Sequence, residues 1–134
     1  MDSSERLHDR VAVITGAANG IGEAVARLCL VEGARVVLVD RDAQRLEALQ
    51  TELGKHAVAL VADVADRDTA ARYVALALER FGRLDVALLN AGMAGRIAPI
   101  HKVTDDDFDR ILAVNVRSVW SGIAAAFPAM KASG

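Results

Sequence analysis

A chain of 134 residues has room for one domain. A net charge of −2 gives no reason to expect nucleic acid or an anionic membrane as partner, and a lone cysteine, Cys29, excludes an internal disulfide. Hydrophobic residues make up 53% of the sequence, enough for a filled core with apolar surface left over.

Met1–Arg10 is polar and charged and has no signal-peptide pattern. No run of about 18 apolar residues suited to spanning a bilayer is expected, so the chain reads as soluble and cytoplasmic. The first strand is Val11–Thr15. A turn with glycines at 16, 20 and 22 follows. A helix over Gly20–Glu32 comes next, with Ile21, Val25, Leu28 and Cys29 sharing a face. Cys29 on that face reads as a packed core thiol. Gly33 ends the helix. Ala34–Asp40 is an apolar strand. Asp42–Leu53 is a helix with Leu46, Leu49 and Leu53 on one side, closed by Gly54. His56–Asp63 is a third strand, and Asp66 is placed to cap a helix running to Phe81. Asp85–Asn90 is the fourth strand. A loop containing Gly92, Gly95 and Pro99 then leads to Thr104, which caps a long helix opening on three aspartates. Phe108, Ile111, Leu112, Val114, Val116, Val119, Trp120, Ile123 and Phe127 wrap most of that helix, so burial on more than one side is expected. Apolar strands alternating with helices predict an α/β fold with a parallel sheet covered on both faces, in the order 3-2-1-4.

The glycine turn has the clearest chemical meaning. Between a strand and a helix, it lets a phosphate approach the backbone, and the first helical turn offers unpaired N–H groups and a partial positive charge. Asp40 ends the second strand 18 residues after Gly22. A carboxylate there can accept from both hydroxyls of an adenine ribose and repels a 2′-phosphate, which favours NAD over NADP; Arg41 beside it pulls the other way. Asn115 sits mid-helix, where asparagine is a poor former. His8, His56 and His101 have no ligand spacing, so no metal is expected.

In these residues the chain resembles the classical short-chain dehydrogenase/reductase family from about Leu7 to Gly134. Thr15–Gly22 fits TGxxxGIG, Asn90-Ala91-Gly92 fits NAG, Asp63-Val64 fits an acidic–apolar pair, and Asn115 falls where the family has a helix asparagine. The resemblance implies a Rossmann-like, doubly wound NAD(P)-binding domain over residues 1–134. It further implies cofactor contacts from Gly16, Asn19, Gly20, Ile21 and Gly22 at the phosphates or ribose, Asp40 and Arg41 at the adenine ribose, Asp63 and Val64 at adenine, and Asn90, Ala91 and Gly92 near the nicotinamide ribose. Asn115 would hold a water in a proton relay. The implied reaction is hydride transfer between nicotinamide and a secondary alcohol or ketone.

The family's catalytic serine and Tyr-x-x-x-Lys pair have no counterpart here. The lone tyrosine, Tyr73, is followed four residues on by Ala77, and the lysines stand at 55, 102 and 131. The expectation is therefore a chain incomplete relative to the family, truncated after the fourth strand and its helix, and a homo-oligomer through that helix. A half-length dinucleotide-binding or interaction protein without turnover is the alternative.

Overall fold

The structure, a computed structural model, describes residues 5–134; the opening four residues of the polar N-terminal stretch lie outside them. Four strands, β1 (Val11–Thr15), β2 (Arg35–Asp40), β3 (Ala57–Val61) and β4 (Val86–Leu89), form a parallel sheet in the order β3-β2-β1-β4. Thr15 pairs with both Val39 and Leu89, and Asp40 pairs with Val61, so the carboxyl ends of the strands finish together. A reversal of strand order at β1 leaves a crevice there.

Alternation along the strands supplies both faces of the core. Ala12, Ile14, Val36 and Leu38 pack with α1 (Gly20–Val31) and α2 (Ala43–Leu53). Val11, Val13, Val37 and Val39 pack on the other face, against α3 (Thr69–Phe81) and α5 (Ser118–Ser133). β1 is buried throughout and β2 from Val36 to Val39, as their continuous apolar runs require.

Several expectations need correction. The buried face of α1 is Gly22, Ala26 and Cys29, one residue on from the face expected; Ile21 and Leu28 are 73% and 54% exposed. Small residues at 22 and 26 bring this helix close to the sheet, and close approach, not side-chain size, decides which stripe faces inward. Cys29 is buried as expected, and burial raises its thiol pKa. The helix also ends at Val31 rather than Glu32. The strand expected over 56–63 is confined to Ala57–Val61, and the helix after it starts at Thr69. Asp66 does not cap it with its side chain; instead the Asp66 carbonyl accepts from the Thr69 N–H, and the Thr69 hydroxyl donates to the Asp63 carbonyl. Those turns keep residues 63–68 out of regular structure.

Beyond β4, α4 (Asp105–Leu112) opens on a capping box between Thr104 and Asp107. A π-helical turn, Ala113–Arg117, joins it without a break to α5. Contrary to expectation, the continuous helical run Asp105–Ser133 is long and apolar enough to cross a membrane by length and composition alone. Its Ala126 and Ala129 pack on the sheet, while Trp120, Ile123 and Phe127 face outward. The burial expected on more than one side is thus not supplied by the described residues.

Tyr73 is buried beneath α5, and its hydroxyl is the one buried side-chain polar atom without a hydrogen-bond partner among the described residues. Burial pushes its pKa up to about 12. Tyr73→Phe removes an unsatisfied group and keeps the ring. It is expected to raise unfolding free energy by about 1 kcal/mol, measured by urea titration.

Asp85 ties the start of β4 to the start of β1. It accepts from Arg10 and Arg83 and from the Val11 N–H at 2.9 Å. Burial works to raise its pKa; the Arg83 pair, the Val11 N–H and Arg10 outweigh it and push the value down to about 2. The folded carboxylate therefore holds its proton less tightly than the unfolded one. Its stabilisation, about 2 kcal/mol, is complete above about pH 4 and is lost as pH falls through about 2. Asp85→Asn is expected to lose that much at neutral pH and to flatten the acid limb of stability between those values, read from urea midpoints against pH.

Candidate functional site

The turn after β1 is built on glycine geometry. Gly16 has φ +67°, and a Cβ there would lie 3.0 Å from both Ala91 Cα and Asn90 Nδ2. Gly22 needs no unusual angle, but a Cβ on it would run into the Gly16 carbonyl and lie 2.9 Å from Asn90 Nδ2. Asn90 Nδ2 donates to the Thr15 carbonyl at 3.1 Å, and the Ala91 N–H donates to Thr15 Oγ1 at 3.1 Å. The ends of β1 and β4 are thereby pinned to each other.

Asn19 stands before α1 in an extended conformation, and its side chain makes no capping bond. The Gly20, Ile21 and Gly22 N–H groups have no partner among the described residues. They point out of a helix start that carries partial positive charge.

This turn borders a cleft of about 320 Å³ at the carboxyl ends of the strands. Gly16, Asn19 and Ile21 line one side. Asp40 and Arg41 come from the end of β2, and Asp63 and Val64 from the loop after β3. Asn90, Ala91 and Gly92 come from the end of β4. Gly20 and Gly22 lie in the turn behind the lining. The structure thus gathers the residues singled out in the sequence around one crevice, although they span 77 positions from Gly16 to Gly92.

The carboxylates already have protein partners. Asp40 accepts from the Ala18 N–H and the Asp42 N–H, both at 3.0 Å, so it shapes the turn as well as facing the cleft. Asp42 caps α2 by accepting from the Arg45 N–H, which leaves Asp40 free of that task. Asp63 accepts from the Ala65 N–H at 2.9 Å and from Arg110 at 2.7 Å. Burial raises its pKa, but the Ala65 N–H, the Arg110 pair and the nearby charge of Arg41 outweigh that and hold it below the usual carboxylate range.

Asn115 lies in the π turn, the local departure that its poor helix propensity signals. Its amide exchanges two bonds with the Met93 backbone, each 2.8 Å, and sits against Gly92. It is exposed and does not itself line the cleft; it reaches the lining through Met93. Met93, Val114 and Arg110 are lining residues that sequence reasoning missed. The sequence offers no signal for Arg110 beyond a basic residue in the last turn of α4, where a dipole role explains it equally well.

Comparison with known proteins gives the family. The sequence profile described as short chain dehydrogenase matches residues 10–134. The chain belongs to that family. It is 41% identical over 99% of its length to A-factor type gamma-butyrolactone 1'-reductase (1S-forming) from Streptomyces virginiae, covering 53% of that protein. Among solved structures it is similar to the 3-ketoacyl-(acyl-carrier-protein) reductase from Brucella melitensis complexed with NADH. There the identity is 37% and the TM-score 0.89, over 94% of this chain and 52% of that one. A metagenomic short-chain oxidoreductase in complex with NADP matches at 37% identity and a TM-score of 0.86, over 94% and 58%. The chain spans about half the length of the curated relatives it matches.

Two glycine substitutions separate sterics from backbone angle. Gly22→Ala meets a carbonyl in a rigid turn and is expected to destabilise by about 2–3 kcal/mol. Gly20→Ala meets open space and pays only for its positive φ, about 1 kcal/mol. Urea unfolding of both variants reads the order.

Proposed function

We propose that residues 1–134 form the NAD(P)-binding domain of an oxidoreductase that moves hydride between nicotinamide and a secondary alcohol or ketone. The observation that supports this best is the crevice itself. The glycine turn that opens α1, with its unpaired N–H groups, and two carboxylates, at the end of β2 and in the loop after β3, border one cleft, at the point where strand order reverses. A dinucleotide's diphosphate matches the first feature, and its ribose hydroxyls and base amine match the second. When bound, the nicotinamide supplies or accepts the hydride.

In this reading the Gly16–Gly22 turn receives the diphosphate, with Asn19 and Ile21 at its rim. Asp40 accepts from the adenine ribose hydroxyls. Asp63 and the Val64 backbone meet the adenine edge. Asn90, Ala91 and Gly92 bound the nicotinamide side. Asn115 fixes the Met93 backbone at that end and so shapes where a substrate carbonyl and its water can sit. Tyr73 cannot serve as acid or base, because it is buried in the core. The 134-residue chain is therefore expected to bind dinucleotide without turning over alcohol.

NAD is the preferred cofactor in this reading. Asp40 is on the crevice wall with acceptor capacity to spare, and its charge opposes a 2′-phosphate. Arg41 on the same wall leaves NADP as the weaker alternative, and the similar proteins solved with NADH and with NADP make both precedents real. The protein is further proposed to be cytoplasmic and to self-associate through the exposed face of α5, where Trp120, Ile123 and Phe127 lie.

NADH and NADPH titrations of the chain, followed by nicotinamide fluorescence, test the assignment. NADH is expected to bind more tightly. Asp40→Asn keeps an acceptor for the Ala18 N–H while removing the charge, and should shrink that preference by about tenfold. An unchanged preference would remove Asp40 from the discrimination, and no binding of either dinucleotide would end the proposal.

A further inference from the structure

The wall that carries Asp63 is held from across the sheet. Arg110, on α4, donates to Asp63 Oδ2 at 2.7 Å over a separation of 47 residues. The Ala65 N–H donates to Oδ1 at 2.9 Å. Further along, Arg117 donates to the Ala65 carbonyl at 3.0 Å. One helical run thus grips the loop after β3 twice, at a carboxylate and at a carbonyl.

An exposed ion pair of this kind contributes little to stability. This pair is placed differently. Both side chains are about one-third exposed or less, at 35% and 27%, and both residues line the same cleft. An ionised carboxylate offers about four lone-pair positions. Ala65 and Arg110 occupy one on each oxygen, which fixes the plane of the group and leaves acceptor capacity beside the cleft. A fixed carboxylate accepts and cannot donate. It rewards an amino group at that place and repels an oxo group.

We propose that Arg110 is a positioning residue for base selection: by holding Asp63 Oδ2 it fixes the carboxylate at the cleft wall so that an amino-bearing purine is accepted and an oxo-bearing purine is refused. The inference rests on the dinucleotide reading of the cleft and deepens it. Without Arg110 the carboxylate keeps only its bond to the Ala65 N–H and can turn toward water. Arg41 does not replace it, since Arg41 makes no ion pair with Asp63 among the described residues.

The test compares NADH with reduced nicotinamide hypoxanthine dinucleotide, in which a 6-oxo group replaces the 6-amino group. The wild-type chain is expected to prefer NADH by about tenfold or more. Arg110→Gln should weaken NADH by about fivefold to tenfold and leave the hypoxanthine analogue within about twofold, so that the preference collapses. Arg110→Lys retains a charge without the planar fork, and should fall between the two. Thermal melting checks folding, and the lysine variant carries the test if the glutamine variant does not fold. Equal weakening of both dinucleotides, or an undiminished preference, overturns the role of Arg110. Asp63→Asn separates the underlying reading. Its amide can donate to an oxo group, so it should lose or reverse the preference. If Asp63→Asn keeps the preference for NADH, the base is not read at this carboxylate, and the assignment of this end of the cleft fails with it.

Discussion

The close seating of α1 on the turn after β1 is the constraint on which the crevice depends. Gly22 rests directly on the Gly16 carbonyl, with Asn90 Nδ2 against both, so three segments meet where no side-chain carbon fits. That contact sets how near the start of α1 stands to the sheet. It also sets where the unpaired N–H groups of Gly20, Ile21 and Gly22 point. Asn90 extends the lock to β4 through the Thr15 carbonyl, and Thr15 extends it again through the Ala91 N–H. A cleft assembled this way is rigid on its turn side before any ligand arrives, which is what a backbone anion site needs if binding is not to be spent on ordering.

The same close approach explains what the sequence hid. Leu46 and Leu49 on α2, and the alternating strand residues, follow the rule that large apolar side chains face inward, and pattern reading finds them. On α1 the rule fails, because Gly22 and Ala26 face the sheet and Ile21 and Leu28 are turned outward. Size ordering misleads wherever a helix is drawn in by small residues. The strand order was legible because apolar strands separated by helices admit few right-handed arrangements. The turn residues, Asp40 and the Asn90–Gly92 segment were legible because each sits at a strand end, a position that sequence marks with a break in apolar character. The Arg110–Asp63 pair was not, since nothing local in either segment refers to the other across 47 residues.

Asn115 shows a middle situation. Its poor helix propensity flags a local disturbance, and the π turn over Ala113–Arg117 is that disturbance. Its partner, the Met93 backbone, lies in an irregular loop with no periodicity to read. Propensity thus located the distortion but not its purpose. The purpose comes from geometry: an amide that both donates to and accepts from one residue's backbone fixes that residue in place of a missing ladder, and here the fixed residue is on the cleft wall.

The run from α4 to α5 therefore acts as a brace across the carboxyl edge of the sheet. Arg110 and Arg117 hold the loop after β3, and Asn115, between them in sequence, holds the segment after β4. These two loops flank the crevice from opposite sides of β1 and β2, and no strand pairing connects them directly. A π turn fits this role, because the extra residue changes the angular spacing of side chains before and after it, letting groups on a single helix address two walls. The brace also accounts for why an outwardly apolar helix is held in register at all. α5 packs on the core through small residues such as Ala126 and Ala129 and through the partly buried Met130, and polar attachments at both ends fix its direction: Arg110 and Arg117 at the α4 end, Ser133 with Arg83 and Leu84 at the other. The geometry of the crevice is in this sense set by two contacts of opposite character, a steric one at Gly22 beneath the glycine turn and an electrostatic one at Arg110 on the cleft wall.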